Sequence, residues 1–521
     1  MQLWRSRAVS TVQSRLVRGQ HVRRTCRSVK VPRWLPPFTF QQIQPKLDVL
    51  RDQPVEVCGW LTGKRNHGRV SFADLQDGSG KVQLVLQHEQ ATEITVGSAV
   101  VVTGVLNERK AGSVPPFEVI VEQIVPQGEN DAESSPVQLK HYSPQFLRSV
   151  PHLRPRHPAL SMLLRARSNL IFQMTCMMAG ERFVQVHTPI ITSSDCEGAG
   201  EVFTVTTNKN DSPGFRDHFF REPKYLTVSA QLHLEALAGS LERVWTLSPT
   251  FRAEKSDTSR HLSEFYMLEA EMAFTKDLND VMVTVERSIR MSVKQLLKSG
   301  FDHELLERAR SHVSSDGQDQ VDPDTLRRRW EGIEKIEWPR ATYDRAIEIL
   351  QEAQEDGHKF EHEISWEKGL NAEHEKFLAR KIGDGSPVFI TDYPREQKPF
   401  YMSSTPGSNG RTAACFDLLV PDLCEIAGGS IREHRLDSLV QKMQEKGLID
   451  PSLYKKAEES GDEQAAIPEN SLDWYMDLRI YGSVPHGGYG LGFDRLLCYI
   501  TGVNNIRDVV AFPRWHGRCD A

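Results

Sequence analysis

Thr250-Phe-Arg-Ala-Glu254, a polar loop over 255–264, and then Phe265-Tyr-Met-Leu-Glu-Ala-Glu271 form the stretch on which the reading of this 521-residue chain turns. The apolar, alternating character of its two ends predicts a hairpin, with strands over 243–254 and 265–274. In extended chain, successive side chains point to opposite faces, so Arg252 and Glu254 share one face of their strand, Phe265, Glu269 and Glu271 likewise share one of theirs, and a hairpin would gather both sets on one platform. Arg260 and His261 ride on the loop between them. A ring to stack a base, a carboxylate for an exocyclic amine and cations for phosphates together suit a nucleotide. An amphipathic hairpin with a merely charged outer face would share part of this pattern.

A second stretch, Tyr481-Gly-Ser-Val-Pro-His-Gly-Gly-Tyr-Gly490-Leu-Gly-Phe-Asp-Arg495-Leu-Leu-Cys-Tyr-Ile500, adds to it. Its glycines allow a strand to run close to a ligand, and the apolar run after Arg495 predicts a buried helix. Arg495 would sit in the first turn of that helix, where unpaired amide N–H groups favour phosphate. No GxxxxGK[ST] segment occurs, so the nucleotide site is not a P-loop.

Outward from these stretches the chain is an ordinary globular mixture, 39% hydrophobic and 26% charged. It lacks an apolar run of about 18 residues, which excludes a membrane-spanning helix. Its eight cysteines include no CxxC pair, which argues against a zinc knuckle or a disulfide framework and fits a reducing compartment. The formal charge of −6 conceals an asymmetry, because residues 1–33 hold eight arginines and Lys30 with no acid, leaving −15 elsewhere. That Arg-rich segment with its hydroxyls reads as a mitochondrial transit peptide rather than as a nucleic-acid-binding arm. Five short strand patterns follow over 55–60, 70–75, 82–86, 99–105 and 117–125, with a hairpin turn at Asp77-Gly-Ser-Gly80. They predict a small closed β-barrel of the OB type. A polar linker and an α+β domain come next. We therefore expect a leader over 1–33, the barrel over 34–126, a linker over 127–155, and a catalytic domain over 156–521 with insertions near 300–330 and 440–470.

In order along the chain, Pro189 in Phe183-Val-Gln-Val-His-Thr-Pro-Ile-Ile191, the 250–271 stretch and the 481–500 stretch resemble the three signature motifs of class II aminoacyl-tRNA synthetases. The class I signatures HIGH and KMSKS are absent. The barrel placed first resembles the aspartyl, asparaginyl and lysyl branch. Asp195-Cys-Glu-Gly-Ala-Gly-Glu-Val-Phe203, Ser229-Ala-Gln-Leu-His-Leu-Glu235, Lys398-Pro-Phe-Tyr-Met402, Glu425-Ile-Ala-Gly-Gly-Ser-Ile-Arg-Glu433 and Trp474-Tyr-Met-Asp-Leu-Arg479 look asparaginyl, and with the leader the pattern is similar to the mitochondrial members of that family. It departs from the family at His434, at Asp494 and in the insertion before the third motif.

The resemblance implies an α+β fold: a five-stranded OB barrel, and an antiparallel sheet flanked by helices. It implies a homodimer in the mitochondrial matrix, with ATP, L-asparagine and tRNA(Asn) as partners and Mg²⁺ as cofactor. Arg252 would hold the α-phosphate. Phe265 and Arg495 would sandwich the adenine, with Glu254 near its amine, and Arg260, His261 and Arg495 would hold the outer phosphates. Arg252 and Arg495 are thus the expected catalytic pair. Asp417 and Glu425 offer hard oxygen ligands suited to Mg²⁺. In the barrel, Phe72 would stack on an anticodon base and Gln83 would read its edge, with Lys64 and Arg65 on the preceding loop; a core role for Phe72 is the competing reading.

For the amino acid, a carboxamide presents an acceptor oxygen and an NH₂ donor, whereas aspartate presents acceptors only. The resemblance assigns the NH₂ to Glu235, the amide oxygen to Arg432, and the α-ammonium to Glu197, Ser229 and Gln231. An aspartate placed about 4 Å from a bare Glu235 carboxylate would be repelled by roughly 4 kcal/mol at an effective dielectric near 20.

Overall fold

The structure, a computed structural model, describes residues 39–50, 53–113, 115–137, 142–193, 202–206, 219–311, 321–449 and 472–520. The chain divides into two compact units, parting after Glu133.

In the first unit, strands β1 (Pro54–His67), β2 (Val70–Gln76), β3 (Lys81–Gln87), β4 (Ala99–Glu108) and β5 (Phe117–Gly128) close into a barrel in the order β1-β2-β3-β5-β4. Alternation along each strand fills the interior with Val57, Leu75, Leu84, Val102 and Val119, all fully buried. Closure pairs β3 with β5 in parallel, so no sheet edge is left open. The β2–β3 turn is set by Asp77, whose Oδ1 accepts the backbone N–H groups of Ser79 at 2.6 Å and Gly80 at 2.8 Å.

In the second unit, the strands are β6 (Val184–Gln185), β7 (Ile191–Thr192), β8 (Tyr225–Leu226), β9 (Arg243–Phe251), β10 (Glu264–Ala273), β11 (Arg340–Thr342), β12 (Val388–Thr391), β13 (Cys415–Val420), β14 (Cys424–Ile431) and β15 (His486–Gly492). Eight of them form one sheet in the order β11-β12-β13-β14-β15-β10-β9-β6. Its six central strands are antiparallel as expected, but at the edges β11 runs parallel to β12, and β6 to β9.

Six helices bear on the site: α1 (Pro158–Gly180), α2 (Gln231–Leu241), α3 (Leu278–Leu296), α4 (Ala372–Gly383), α5 (Asp473–Ile480) and α6 (Phe493–Thr501). Helix α3 starts where the Asp277 carboxylate accepts the Asn279 N–H at 2.8 Å, and its stripe Val281, Val285, Ile289 and Val293 is fully buried. Helix α6 carries the apolar run after Arg495 and is buried almost throughout, packing with Trp245, Phe416 and Tyr489 into the main core. Among the described residues no helix is long and apolar enough to cross a membrane.

The expected hairpin is present, with one difference. Strand β9 ends at Phe251, so Arg252 and Glu254 do not share a strand face. The Arg252 N–H still bonds the Ser263 carbonyl at 3.0 Å in register with the ladder, but the Ser263 N–H turns to the Arg514 carbonyl at 2.8 Å and the regular pairing stops.

Candidate active site

The centre of the sheet sets the site. On β10, Glu269 and Glu271 lie opposite Gly490 and Gly488 of β15, and Gly488 is in turn opposite Ser430 of β14. A Cβ on Gly488 would stand 2.0 Å from Glu271 Oε2 and 2.3 Å from the Ala270 carbonyl, so the glycine makes room for the carboxylate. Glu271 pairs with Arg432, whose Nε lies 3.2 and 3.3 Å from its two oxygens and whose terminal nitrogen lies 3.1 Å from one of them. The same guanidinium donates to Ser430 Oγ at 2.8 Å. Burial pushes the Glu271 carboxyl upward, against the pull of Arg432. Glu269 holds the start of α2, accepting from Ser229 Oγ and, at 3.0 Å, from the Ala230 N–H.

Gln231 and Glu235 lie one turn apart on α2, as their spacing requires, and the Gln231 amide donates to Glu235 Oε1 at 3.0 Å. The other oxygen, Oε2, accepts from Tyr475 Oη at 2.7 Å and Arg479 at 2.6 Å, and faces His486 Nε2 at 3.1 Å. Burial acts to raise the Glu235 carboxyl, but Arg479 and then His486 outweigh it and hold the group well below the usual carboxylate range. Burial pulls His486 down, and the bond to Glu235 overcomes it and moves the imidazole up. The carboxylate is therefore not bare, and the roughly 4 kcal/mol repulsion expected of an isolated Glu235 overstates the effect, because Arg479 cancels its charge at contact distance.

On the nucleotide side, the Arg252 guanidinium lies over the Phe265 ring, 5.8 Å from its centroid. His261 Nε2 stands 3.5 Å from Glu254, and burial lowers its pKa. Arg260 is held by a 2.7 Å contact to Cys424 Sγ, and Arg495 donates 2.8 Å to the Glu425 carbonyl. The Asp417 and Glu425 carboxylates converge over Gly428, where a Cβ would meet Glu425 Oε1 at 3.0 Å and Asp417 Oδ1 at 3.4 Å. Two hard oxygens facing one clear space fit Mg²⁺. Burial and then Asp417 raise the Glu425 carboxyl. Asp417 is also engaged by Lys398, whose Nζ lies 3.0 and 2.8 Å from its two oxygens. A third acid, Glu375 on α4, is pushed to about 7 by burial and then by Glu425 and Asp417.

In the barrel, Ser71, Ala73 and Leu75 point inward, so Phe72 faces out and the core reading of it fails. Gln83 also lies on the outer face, donating 2.8 Å to Glu118, and Arg65, 3.7 Å from Asp74, is paired with Phe72 across β1 and β2. Arg65 and Lys64 belong to β1 rather than to a loop. Lys64 is committed elsewhere, donating to the Ala91 and Ile94 carbonyls at 2.9 and 3.0 Å.

Two family profiles match the chain: "tRNA synthetases class II (D, K and N)" over residues 144–516, and "OB-fold nucleic acid binding domain" over residues 55–126. Over 504 residues it is 38% identical to "Asparagine--tRNA ligase, mitochondrial" of Saccharomyces cerevisiae, covering 93% of this chain and 97% of that one. It belongs to the asparagine–tRNA ligase family of class II synthetases. Asparaginyl-tRNA synthetase of Mus musculus is 37% identical over 95% of this chain and 97% of its own. The crystal structure of asparaginyl-tRNA synthetase from Pyrococcus horikoshii complexed with asparaginyl-adenylate superposes with a TM-score of 0.74 at 30% identity, covering 92% of this chain and 98% of that one.

Of the expected residues, the structure links Ser229, Gln231 and Glu235 by hydrogen bonds at the start of α2 and pairs Arg432 with Glu271 on the adjoining strand, and it brings together Arg252 with Phe265, Arg495 with Glu425, and Asp417 with Glu425 around Gly428. Glu197 lies outside the described residues, as do the leader, residues 312–320 of the first expected insertion and most of the second. Tyr475, Arg479 and His486 were not among the expected site residues. Trp474-Tyr-Met-Asp-Leu-Arg479 carried a family signal, but nothing in the spacing reveals that a helix 240 residues downstream of Glu235 folds back onto it. At the departure Asp494, the carboxylate pairs with Arg167 and accepts the Tyr266 N–H at 2.8 Å.

Proposed function

We propose that this synthetase joins asparagine to tRNA(Asn) in the mitochondrial matrix, with the site residues acting as follows. The carboxamide NH₂ of asparagine donates to Glu235 and its oxygen accepts from Arg432. The α-ammonium meets acceptors on Ser229, on the Gln231 carbonyl and on Glu197. The single observation that carries this reading is the buried Glu235, kept ionised by Arg479 and so able only to accept, beside an arginine able only to donate. That polarity matches an amide and mismatches a carboxylate.

The asparagine carboxylate is already ionised and attacks the α-phosphorus of ATP in line, so positioning and charge neutralisation supply most of the catalysis. Arg252 neutralises charge at the α-phosphate, and Phe265 and Arg495 hold the adenine between them with Glu254 at its amine. Arg260, His261 and Arg495 hold the outer phosphates. Asp417 and Glu425 would hold Mg²⁺, which when bound offsets phosphate charge. The terminal ribose hydroxyl of the tRNA then attacks the activated carbonyl. On the barrel, Phe72, Gln83 and Arg65 form the anticodon-reading face.

Homodimerisation is supported by the exposed apolar Val184, Ile190 and Ile191 flanking Pro189. The mitochondrial assignment is supported by the Arg-rich, acid-free leader and by the yeast relative. ATP–pyrophosphate exchange run on the full chain with asparagine and with aspartate tests the reading. Exchange dependent on asparagine is expected, and exchange supported by aspartate alone would overturn it.

A further inference from the structure

We infer that Arg479, assisted by Tyr475, is the positioning residue for amino-acid selection: it fixes Glu235 so that only Oε1 remains to take the substrate's carboxamide. The inference rests on the reading of Glu235 as the carboxamide acceptor. A carboxylate offers about four in-plane acceptor sites, two on each oxygen. Oε2 is filled by Arg479, Tyr475 and His486, whereas among the described residues Oε1 receives only the Gln231 amide. His486 Nδ1 lies 2.7 Å from the Val484 carbonyl, which can only accept, and its Nε2 faces the carboxylate. Both ring nitrogens therefore donate. Among the described residues, the acceptor site left open is on Oε1, beside Gln231.

Arg479 is itself held rigidly. Its Nε donates 3.0 Å to the Glu433 carbonyl, and its guanidinium lies over the Tyr475 ring at 4.0 Å while donating 2.8 Å to the Tyr475 hydroxyl. Both partners of the Arg479–Glu235 pair are 1% exposed, so the geometry is fixed by packing rather than by solvent. The groups facing Glu235 come from every element around it: Gln231 on α2, Tyr475 and Arg479 on α5, and His486 on β15, with Arg432 after β14 and Glu271 on β10 behind them.

Two guanidiniums and the His486 imidazolium thus face two carboxylates, and aspartate is not excluded by net negative charge. It is excluded because Oε1 cannot donate. Without Arg479, burial would be opposed by His486 and Arg432 but no longer by the main partner of Glu235, so the carboxyl would move up and take a proton more readily as the pH falls. A protonated Glu235 donates a hydrogen bond, which is the polarity an aspartate side chain accepts.

The test is pyrophosphate exchange with asparagine and with aspartate from pH 6 to 8.5 on Arg479→Met, Arg479→Lys and Tyr475→Phe. For Arg479→Met the KM for asparagine should rise by about tenfold or more, as a charge-assisted hydrogen bond of this kind implies, with the KM for ATP within about twofold. The preference for asparagine over aspartate should fall, and fall further at pH 6 than at pH 8. Tyr475→Phe should raise the asparagine KM by about two- to tenfold, and Arg479→Lys should lie between the two. Unchanged asparagine KM and preference in the folded variants would overturn the inference, and so would parallel rises in the KM for asparagine and ATP. If Arg479→Met does not fold, Arg479→Lys and Tyr475→Phe decide on the same criteria. Glu235→Ala separates the two levels. If it leaves asparagine use intact, the reading of Glu235 fails; if it abolishes asparagine use while the Arg479 variants do not, only the positioning inference fails.

Discussion

Adding one methyl group at Gly488 should disable amino-acid recognition, whereas the same methyl at Gly487 should be tolerated. At Gly488 the new Cβ would lie 2.0 Å from Glu271 Oε2 and 2.3 Å from the Ala270 carbonyl. Both contacts are about 1 Å closer than real Cβ atoms come to their neighbours. The carbonyl belongs to β10, which pairs with β15 over seven residues from Met267 to Ala273, so it has little freedom to retreat. The carboxylate must move instead, and it is the partner of Arg432. At Gly487 the nearest atoms are Ile431 Cδ1 and the Ser430 carbonyl at 3.0 Å and Val281 Cγ2 at 3.1 Å, which a shift of a few tenths of an ångström relieves. Overpacking of the first kind costs about 1–3 kcal/mol or more, before the loss of the Glu271–Arg432 pair is counted. Gly488→Ala should therefore lower the urea midpoint of the catalytic unit and raise the asparagine KM by more than about tenfold, leaving the ATP KM within about threefold. Gly487→Ala should change each by less than about threefold. Equal behaviour of the two variants would refute the view that Glu271 is seated over Gly488.

Three further outcomes are expected. Glu271→Gln removes the only negative partner that the structure records in contact with Arg432, which is 3% exposed, and should destabilise the catalytic unit by about 3–5 kcal/mol in urea unfolding. Phe72→Ala should raise the KM for tRNA in aminoacylation by about 5–100-fold, as loss of one base-stacking ring implies, while pyrophosphate exchange is unaffected because it needs no tRNA. Glu433, fully buried and bonded to Arg435 at 2.9 Å and Lys442 at 2.8 Å, has its pKa lowered from 4.5 to about 2, despite the opposing effect of burial. Because its folded value lies below its unfolded one, its contribution is complete above pH 4.5 and is lost as the pH falls towards 2. Allowing for the exposed Arg435, that contribution is about 2 kcal/mol, so Glu433→Gln should lower stability at pH 7 and flatten its loss between pH 4.5 and 2.

The barrel was legible because period-two alternation is a strong local signal. Its turn was legible from the turn residues Asp77-Gly-Ser-Gly80, whereas alternation alone left the face of Phe72 open until the burial of Ser71, Ala73 and Leu75 settled it. The nucleotide hairpin was legible from alternation as well, apart from the last residues of its first strand. There the Ser263 N–H bonds the distant Arg514 carbonyl instead of completing its pair with Arg252, a partner that no local pattern records. The pairing of Gln231 with Glu235 followed from helical spacing. The partners of Glu235 across the chain did not, because no local pattern records that α5 and the first residue of β15 converge on α2. The same holds for Lys398 and Glu375 beside Asp417 and Glu425, since each comes from a different element of the sheet or its flank. What sequence periodicity omits here is the set of neighbours that decides whether a carboxylate stands bare or paired, and hence how it discriminates.

A crystal structure with a non-hydrolysable analogue of asparaginyl-adenylate tests the claim about Glu235 most directly. The account requires the carboxamide nitrogen within about 3.2 Å of Glu235 Oε1, with Oε2 still bonded to Arg479 and Tyr475. A carboxamide directed away from Glu235, or bound at Oε2 with Arg479 displaced, would contradict it.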